Sequence, residues 1–447
     1  MSAQKGSVTI FLALMMMTFL ILCLVLLEGT RVYFLRTNAV QAMELAEFSV
    51  LSEYQQELFK HYGLFFLDLD YEQGSEHIGI LETRLSEYLN KNMEEIQTEN
   101  LKVKNICRAT DAEGSHFFKQ AAEVIKVQSG YKIFEEIFEN AENIELEEVD
   151  LEEILEKQEN AAEEALDSWK EDENFSISLP DISFPSMKAL REAVFGEETG
   201  LSEKSVNLSE RISERNLSVG SGKEGSHSFA EMELFHSYLF KYFGYYGDEN
   251  PDVWDSSLEY QLEYILAGEK SDLDNLENMM WRIFLLRAGG NYLFYHQDPY
   301  EFRKAQTEAT ALVGFLGNPI LIEAVTEILL VSRAIEDGIV QTRRIFAGEK
   351  VPLYENGTFS GILLGYEEYL YLFLKTEKRK NKIFRCMDLV ELEVRKKSGY
   401  ERFYLDHCTD WFEVQWNYQF DSLFQELGYF ANSIYKNEIN RKVFYEN

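Results

Sequence analysis

Residues 8–27 read Val-Thr-Ile-Phe-Leu-Ala-Leu-Met-Met-Met-Thr-Phe-Leu-Ile-Leu-Cys-Leu-Val-Leu-Leu, a run with no charge, no Pro and no Gly. As an α-helix it spans about 30 Å, the hydrocarbon thickness of a bilayer, so it predicts a transmembrane helix. Later apolar runs, 320–331 and 362–374, are shorter and carry Glu323 and Glu327 or Glu367 and Glu368. The chain is therefore expected to cross the membrane once, with everything after the span on one side. A cleaved secretory signal would close on a small-x-small site, whereas this core runs directly into Glu28-Gly29-Thr30-Arg31. Two readings stay open: a plain signal anchor, and a pilin-like leader in which Lys5-Gly6 marks processing between Gly6 and Ser7.

Flanking charge does not orient the helix, with Lys5 before it and Arg31 and Arg36 after it. The bulk charge says more. Against 43 Lys and Arg stand 78 Asp and Glu, a net charge of −35. Such a chain repels nucleic acid and anionic lipid, which excludes a nucleic-acid role and fits a cell-membrane protein with its bulk extracytoplasmic. Cys23 lies in the span, leaving Cys107, Cys386 and Cys408. At most one disulfide can form among these three. Cys386 with Cys408 is the closer pair in sequence, and three buried free thiols is the other reading.

Beyond the membrane, Leu35, Ala39, Ala42, Ala46 and Val50 recur every three to four residues, which predicts an amphipathic helix continuous with the span to about Lys60 and capped near Gly63. A second helix is expected over 78–93. Residues 101–107 alternate apolar and polar, a candidate strand with no partner in view. From 115 to 169 the period is helical again, with Ile137, Ile144 and Leu151 seven apart and Ala141, Leu155 and Ala162 near the same line. This predicts a short antiparallel hairpin with an acidic, solvated exterior. Gly, Ser, Pro180 and Pro185 crowd the next stretch, which reads as a linker. The rest is aromatic and helical in period. The expected fold is mainly α: a cytoplasmic leader-like tail (1–7), a transmembrane helix (8–27), a membrane-proximal helical region with the acidic hairpin (28–170), a linker (171–228) and a distal aromatic-rich α domain (229–447), with at most a small β element.

Chemistry-bearing motifs are scarce. Gly-x-Ser-x-Gly, His-Glu-x-x-His and the P-loop are absent, and His61, His77, His116, His227, His236, His296 and His407 never fall at ligand spacing. No catalytic residue, cofactor, metal or small-molecule substrate is expected. Asp248-Glu-Asn250-Pro-Asp252 with Glu259 at the twelfth position resembles a calcium loop, but Val253 takes the place of the turn glycine, so a helix-leading loop rich in acceptors is the preferred reading. A basic run against the acidic whole, Lys378, Arg379, Lys380, Lys382 and Arg385, is the candidate interaction patch for an acidic partner, weighed against an ordinary solvated loop.

Several stretches carry a family resemblance: Lys5-Gly6-Ser7-Val8-Thr9-Ile10-Phe11-Leu12, Leu27-Glu28-Gly29-Thr30-Arg31, Tyr62-Gly63-Leu64-Phe65, the run 258–268, Ser271-Asp272 with Asn275-Leu276, and the run 348–353. Together they resemble a family of large membrane proteins of Gram-positive bacteria akin to the TadE/TadG-like minor pseudopilins of tight-adherence (Flp-type) pilus systems. The resemblance implies a helix kept in the membrane until assembly machinery extracts it or holds it as a scaffold, with pilus or secretion proteins as partners. A prepilin site usually has Glu at the fifth residue after the cut. Counted from Ser7 that residue is Phe11, which favours a permanently anchored assembly component. The alternative is a signal-anchored surface protein unrelated to a pilus, such as an adhesin or ligand-binding module, or a hydrolase whose site spacing does not reveal.

Overall fold

A computed structural model describes residues 3–71, 78–93, 95–128, 149–167, 183–196, 200–207, 209, 211–223, 228–248, 256–353, 362–424 and 434–445. Its elements up to the linker are α1 (Ala3–Leu51), α2 (Gln56–Tyr62), β1 (Leu67–Asp68), α3 (Ile78–Asn92), β2 (Gln97–Arg108), α4 (Asp111–Gln128), α5 (Leu151–Asp167) and α6 (Met187–Phe195). After it come α7 (Phe229–Tyr242), α8 (Gln261–Ala267), α9 (Asp272–Gln297), α10 (Pro299–Val313), α11 (Pro319–Phe346), β3 (Val351–Pro352), β4 (Leu363–Leu364), α12 (Tyr366–Thr376), α13 (Arg379–Arg395), β5 (Cys408–Asp421) and β6 (Ile434–Phe444). The protein is mainly α, as expected. It divides into two compact units, the first made of Met1–Glu123, Asn216–His227 and Val390–Asn447, the second of Val124–Arg215 and Ser228–Leu389.

The first unit is built on α1, 49 residues without a break. Among the described residues it is the one helix long and apolar enough to cross a membrane, and it fits a single-pass anchor. Its second half turns one face inward: Leu35, Ala39, Ala42, Met43, Ala46 and Val50 are buried with Leu81, Leu85 and Leu89 of α3. The helix stops at Leu51, short of Lys60, because Gln55 pairs its backbone N–H with Phe66 O and its side chain accepts from Leu58 N at 2.8 Å, starting α2 afresh. Gly63 then closes α2 in a left-handed conformation (φ 70°), the turn the sequence predicts.

The candidate strand at 101–107 is the centre of β2, and its partner comes from the far end of the chain. β5 pairs antiparallel with β2 along one edge and β6 along the other, with β1 on its first residues. Along β5 the side chains alternate, and Phe412, Val414, Trp416, Tyr418 and Phe420 all enter the core against α1 and α3. The helical period expected throughout 229–447 therefore ends before β5, where a period of two takes over.

The second unit is arranged around α11, 28 residues long. Leu321, Val325, Ile328, Val331, Ala334, Ile335, Gly338 and Ile345 are buried on it, and α5, α6, α9 and α10 pack around it. Leu151, Leu155 and Ala162 of α5, expected in a hairpin seam, are buried in this bundle instead; Ile137, Ala141 and Ile144 lie outside the described residues. Gly338 is where α9 comes closest: an added Cβ would sit 3.0 Å from Ala288 Cβ and 3.1 Å from Ala288 Cα. Gly338→Val is expected to push the two helices apart at a cost of about 1–3 kcal/mol. Thermal unfolding checks this, and an unchanged midpoint would refute so close a crossing.

Carboxylates of this unit are not merely solvated. Tyr hydroxyls donate to Glu367 (Tyr245, 2.6 Å), Glu263 (Tyr366, 2.7 Å), Glu233 (Tyr371, 2.6 Å), Asp388 (Tyr264, 2.9 Å) and Glu327 (Tyr292, 3.0 Å). A phenol offers an apolar ring and one donor, so it carries an acid into the interior with a hydrogen bond in place.

Candidate functional site

Two places in the first unit combine polar precision with an unusual setting. One is the junction between the membrane helix and the sheet. Glu28, the first carboxylate after the apolar run, is buried and accepts from Leu423 N at 3.2 Å, just past the end of β5. One turn on, Arg31 donates to Asp421 O at 2.8 Å and pairs with Glu95 at 3.0 Å. At the other end of the packed half, Arg441 of β6 pairs with Glu44 at 2.9 Å, and Tyr445 donates to Leu51 O at 3.0 Å. Helix and sheet are thus fastened at both ends of their contact. The opposite face of the same half leaves Tyr33, Phe34, Val40, Leu45 and Phe48 exposed.

The other place is where β2, α4 and β5 meet. The β2–β5 register jumps between Cys107↔Trp411 and Arg108↔Thr409, leaving Asp410 as the extra residue of a bulge. Bulges re-aim side chains, and Thr409 Oγ1 pins this one by donating to Cys107 O at 2.8 Å. On α4, His116 and Gln120 lie one turn apart. His116 Nδ1 is 2.9 Å from Asp410 Oδ2, and Gln120 Nε2 donates to Asp410 Oδ1 at 2.7 Å while also clasping the backbone of Phe65. Cys107 joins them: one ligand-capable atom each from Cys107, His116 and Asp410 lies within 4.8 Å of the other two. His116 Nε2 is buried with no hydrogen-bond partner. Burial, then the charges of Asp410 and Asp111, push the Cys107 thiol well above its ordinary pKa.

This corner is closed by part of the stretch read as a linker. Asp111 accepts from Arg108 N (2.9 Å), Gly220 N (2.7 Å) and Gly222 N (2.9 Å), and Ser221 N donates to Ile106 O at 2.7 Å. Both glycines are there for close approach. A Cβ on Gly220 would fall 2.3 Å from Asp111 Oδ2, and one on Gly222 would fall 2.8 Å from Cys107 Sγ. Residues 218–222 form a fitted strap over Cys107, not a flexible spacer.

The residues singled out from sequence fare differently. Gly6 and Ser7 lie in the helical backbone of α1, and their side chains are outside the described residues. Of the basic patch, Lys378 and Lys380 are exposed and Arg379 is half-buried. Lys382 and Arg385 leave it. Lys382 is buried, donates to Leu374 O at 2.6 Å and faces His236 Nε2 at 3.0 Å, and burial brings its pKa down to about 8. Arg385 donates to Ile265 O and Leu266 O, closing the C-terminus of α8 together with Gly268 in the left-handed region (φ 76°). Of the calcium-like loop, 249–255 lie outside the described residues, and Glu259 pairs with Lys204 at 3.1 Å. Cys107, Cys386 and Cys408 are free and buried, so the Cys386–Cys408 bridge is not formed. The run at 258–268 with Ser271-Asp272 is a structural knot: buried Asp272 accepts from Glu259 N, Tyr260 N and Ser202 Oγ. Sequence spacing held no sign of the Cys107, His116 and Asp410 cluster, which needs a strand, the next helix and a strand some three hundred residues later.

Nothing among curated proteins and nothing among solved structures matches this chain. A family of unknown function (DUF5702) matches residues 168–359 and 355–420, a stretch that contains most of the second unit and Asp410 but not Cys107 or His116. The match extends over more than half of the sequence, and the chain belongs to this family, DUF5702.

Proposed function

We propose that the protein is a non-enzymatic, membrane-anchored component of a pilus or secretion apparatus, a pseudopilin-like assembly or scaffold protein that presents its acidic ectodomain on the extracytoplasmic side. The observation that carries this reading is α1. A membrane-length apolar half continues without a break into a half whose one face is the floor of a sheet core and whose other face keeps Tyr33, Phe34, Val40, Leu45 and Phe48 bare. A plain anchor needs only the first half. Building the second into the folded unit joins helix and sheet through one core and through the contacts of Glu28, Arg31 and Arg441, so a force or a partner acting on the helix bears on the sheet as well. A bare apolar stripe close to the bilayer suits a second helix from an assembly protein. The net charge of −35 suits an exported surface over a nucleic-acid or anionic-lipid contact.

The test is site-specific photocrosslinking from Phe34, Leu45 and Phe48 in native membranes, combined with intact N-terminal mass spectrometry in cells with and without their prepilin peptidase. Crosslinks to pilus or secretion platform proteins are the expected result, whether or not the chain begins at Ser7. A chain that retains residues 1–6 and yields no such crosslinks would overturn the reading and leave a signal-anchored surface protein.

A further inference from the structure

We infer that Cys107, His116 and Asp410 form a binding site for a single thiophilic divalent cation, zinc in the first instance, coordinated by the Cys107 sulfur, a ring nitrogen of His116 and a carboxylate oxygen of Asp410. The three donor atoms lie within 4.8 Å of one another, on three different elements of the first unit. The set suits the chemistry. Thiolate, imidazole and carboxylate are the zinc donors of proteins, and one thiolate with one carboxylate balances the charge of a divalent cation in a buried place. Asp410 is also held as metal carboxylates are, with Gln120 fixing Oδ1 at 2.7 Å and leaving Oδ2 toward His116. His116 Nδ1 and Asp410 Oδ2 already stand 2.9 Å apart, near the separation of two neighbouring ligands on one ion, so binding would exchange their mutual contact for two bonds to the metal.

The same residue types could compose a thiol nucleophile with its base, and the surroundings decide against that. A reactive thiol sits in an electropositive, partly open place. Cys107 is fully buried, Gly222 lies directly over its sulfur, and the neighbouring charged groups are the carboxylates of Asp410 and Asp111. That negative field disfavours a bare thiolate and favours a cation, whose own charge reverses the balance once bound. On binding, the Sγ–H bond breaks, the proton goes to solvent and an Sγ–metal bond forms.

The experiment uses the full chain in detergent micelles, stripped with a chelator and then titrated with zinc and with cobalt(II). About one equivalent should bind, and the cobalt form should show a thiolate-to-metal charge-transfer band. Cys107→Ser should abolish the band and Cys386→Ser should keep it. Gln120→Leu, which frees Asp410 without touching the metal, should weaken binding by about 10- to 100-fold. Because a core substitution can unfold the unit, the wild-type chain provides an independent reading: zinc should raise its melting temperature and shield one thiol from alkylation after mild denaturation. Failure of the wild-type chain to bind a stoichiometric cation would overturn the inference. So would a cobalt spectrum without the thiolate band, which would assign the metal to surface carboxylates.

Discussion

Asp111→Ala is expected to destabilise the first unit by about 4–5 kcal/mol, on the basis of three hydrogen bonds to a charged acceptor at about 1.5 kcal/mol each. The carboxylate is buried and receives N–H groups from Arg108, Gly220 and Gly222, so its removal leaves three backbone donors facing a methyl group, the Arg108 N–H among them buried. It also stands at the head of a turn in which Ala112, Glu113 and Gly114 are all left-handed, with φ of 51°, 57° and 73°, an arrangement that non-glycine residues adopt only when held. Asp111→Asn should cost less, because one oxygen is retained, but its amide nitrogen would oppose an N–H, so some loss remains. Chemical denaturation measures the stability. Hydrogen exchange at Gly220 and Gly222 shows whether the strap has come away, and alkylation of Cys107 in the variant should quicken as its cover lifts. A loss under about 1 kcal/mol with both amides still protected would mean that the strap is held by something else.

The membrane helix and the inward face of α1 were legible because each is a local period in unbroken sequence. Gly63 was legible as a helix end for the same reason. The sheet was half legible. Residues 412–420 read Phe-Glu-Val-Gln-Trp-Asn-Tyr-Gln-Phe, a period of two, yet aromatic density earlier in the region had set an expectation of helix. The pairing that turns residues 97–108 into β2 joins positions about three hundred residues apart, a contact on which local patterning is silent. The metal-type cluster was hidden for that reason and for another: the bulge at Asp410 breaks the alternation that would have assigned it to a face. Lys382 and Arg385 show the converse error. A run of basic residues at the start of a helix faces all ways round it, so part of the run must point inward, and these two do so by meeting backbone carbonyls.

In the second unit, stability should fall by about 3 kcal/mol as pH rises from about 4.5 to above 7, through Glu263 alone. Glu263 on α8 is wholly buried, its Oε1 accepts from Tyr246 N at 2.8 Å and from the Tyr366 hydroxyl at 2.7 Å, and its Oε2 has no partner. Burial outweighs those two donors and raises its pKa from 4.5 to about 7. The sign follows from proton counting. Between the unfolded and folded pKa values the folded chain holds a proton that the unfolded chain has released, so each step up in pH favours unfolding, and the penalty is complete once the folded pKa is passed. Glu263→Gln keeps the oxygen that receives Tyr246 and Tyr366 and removes the titration. Denaturation of both proteins at pH 5 and pH 8 isolates the effect, because the difference between them cancels every other titrating group. The variant should gain on the wild type by most of 3 kcal/mol over that interval, and a difference that does not change with pH would place the proton elsewhere in the Tyr-lined core.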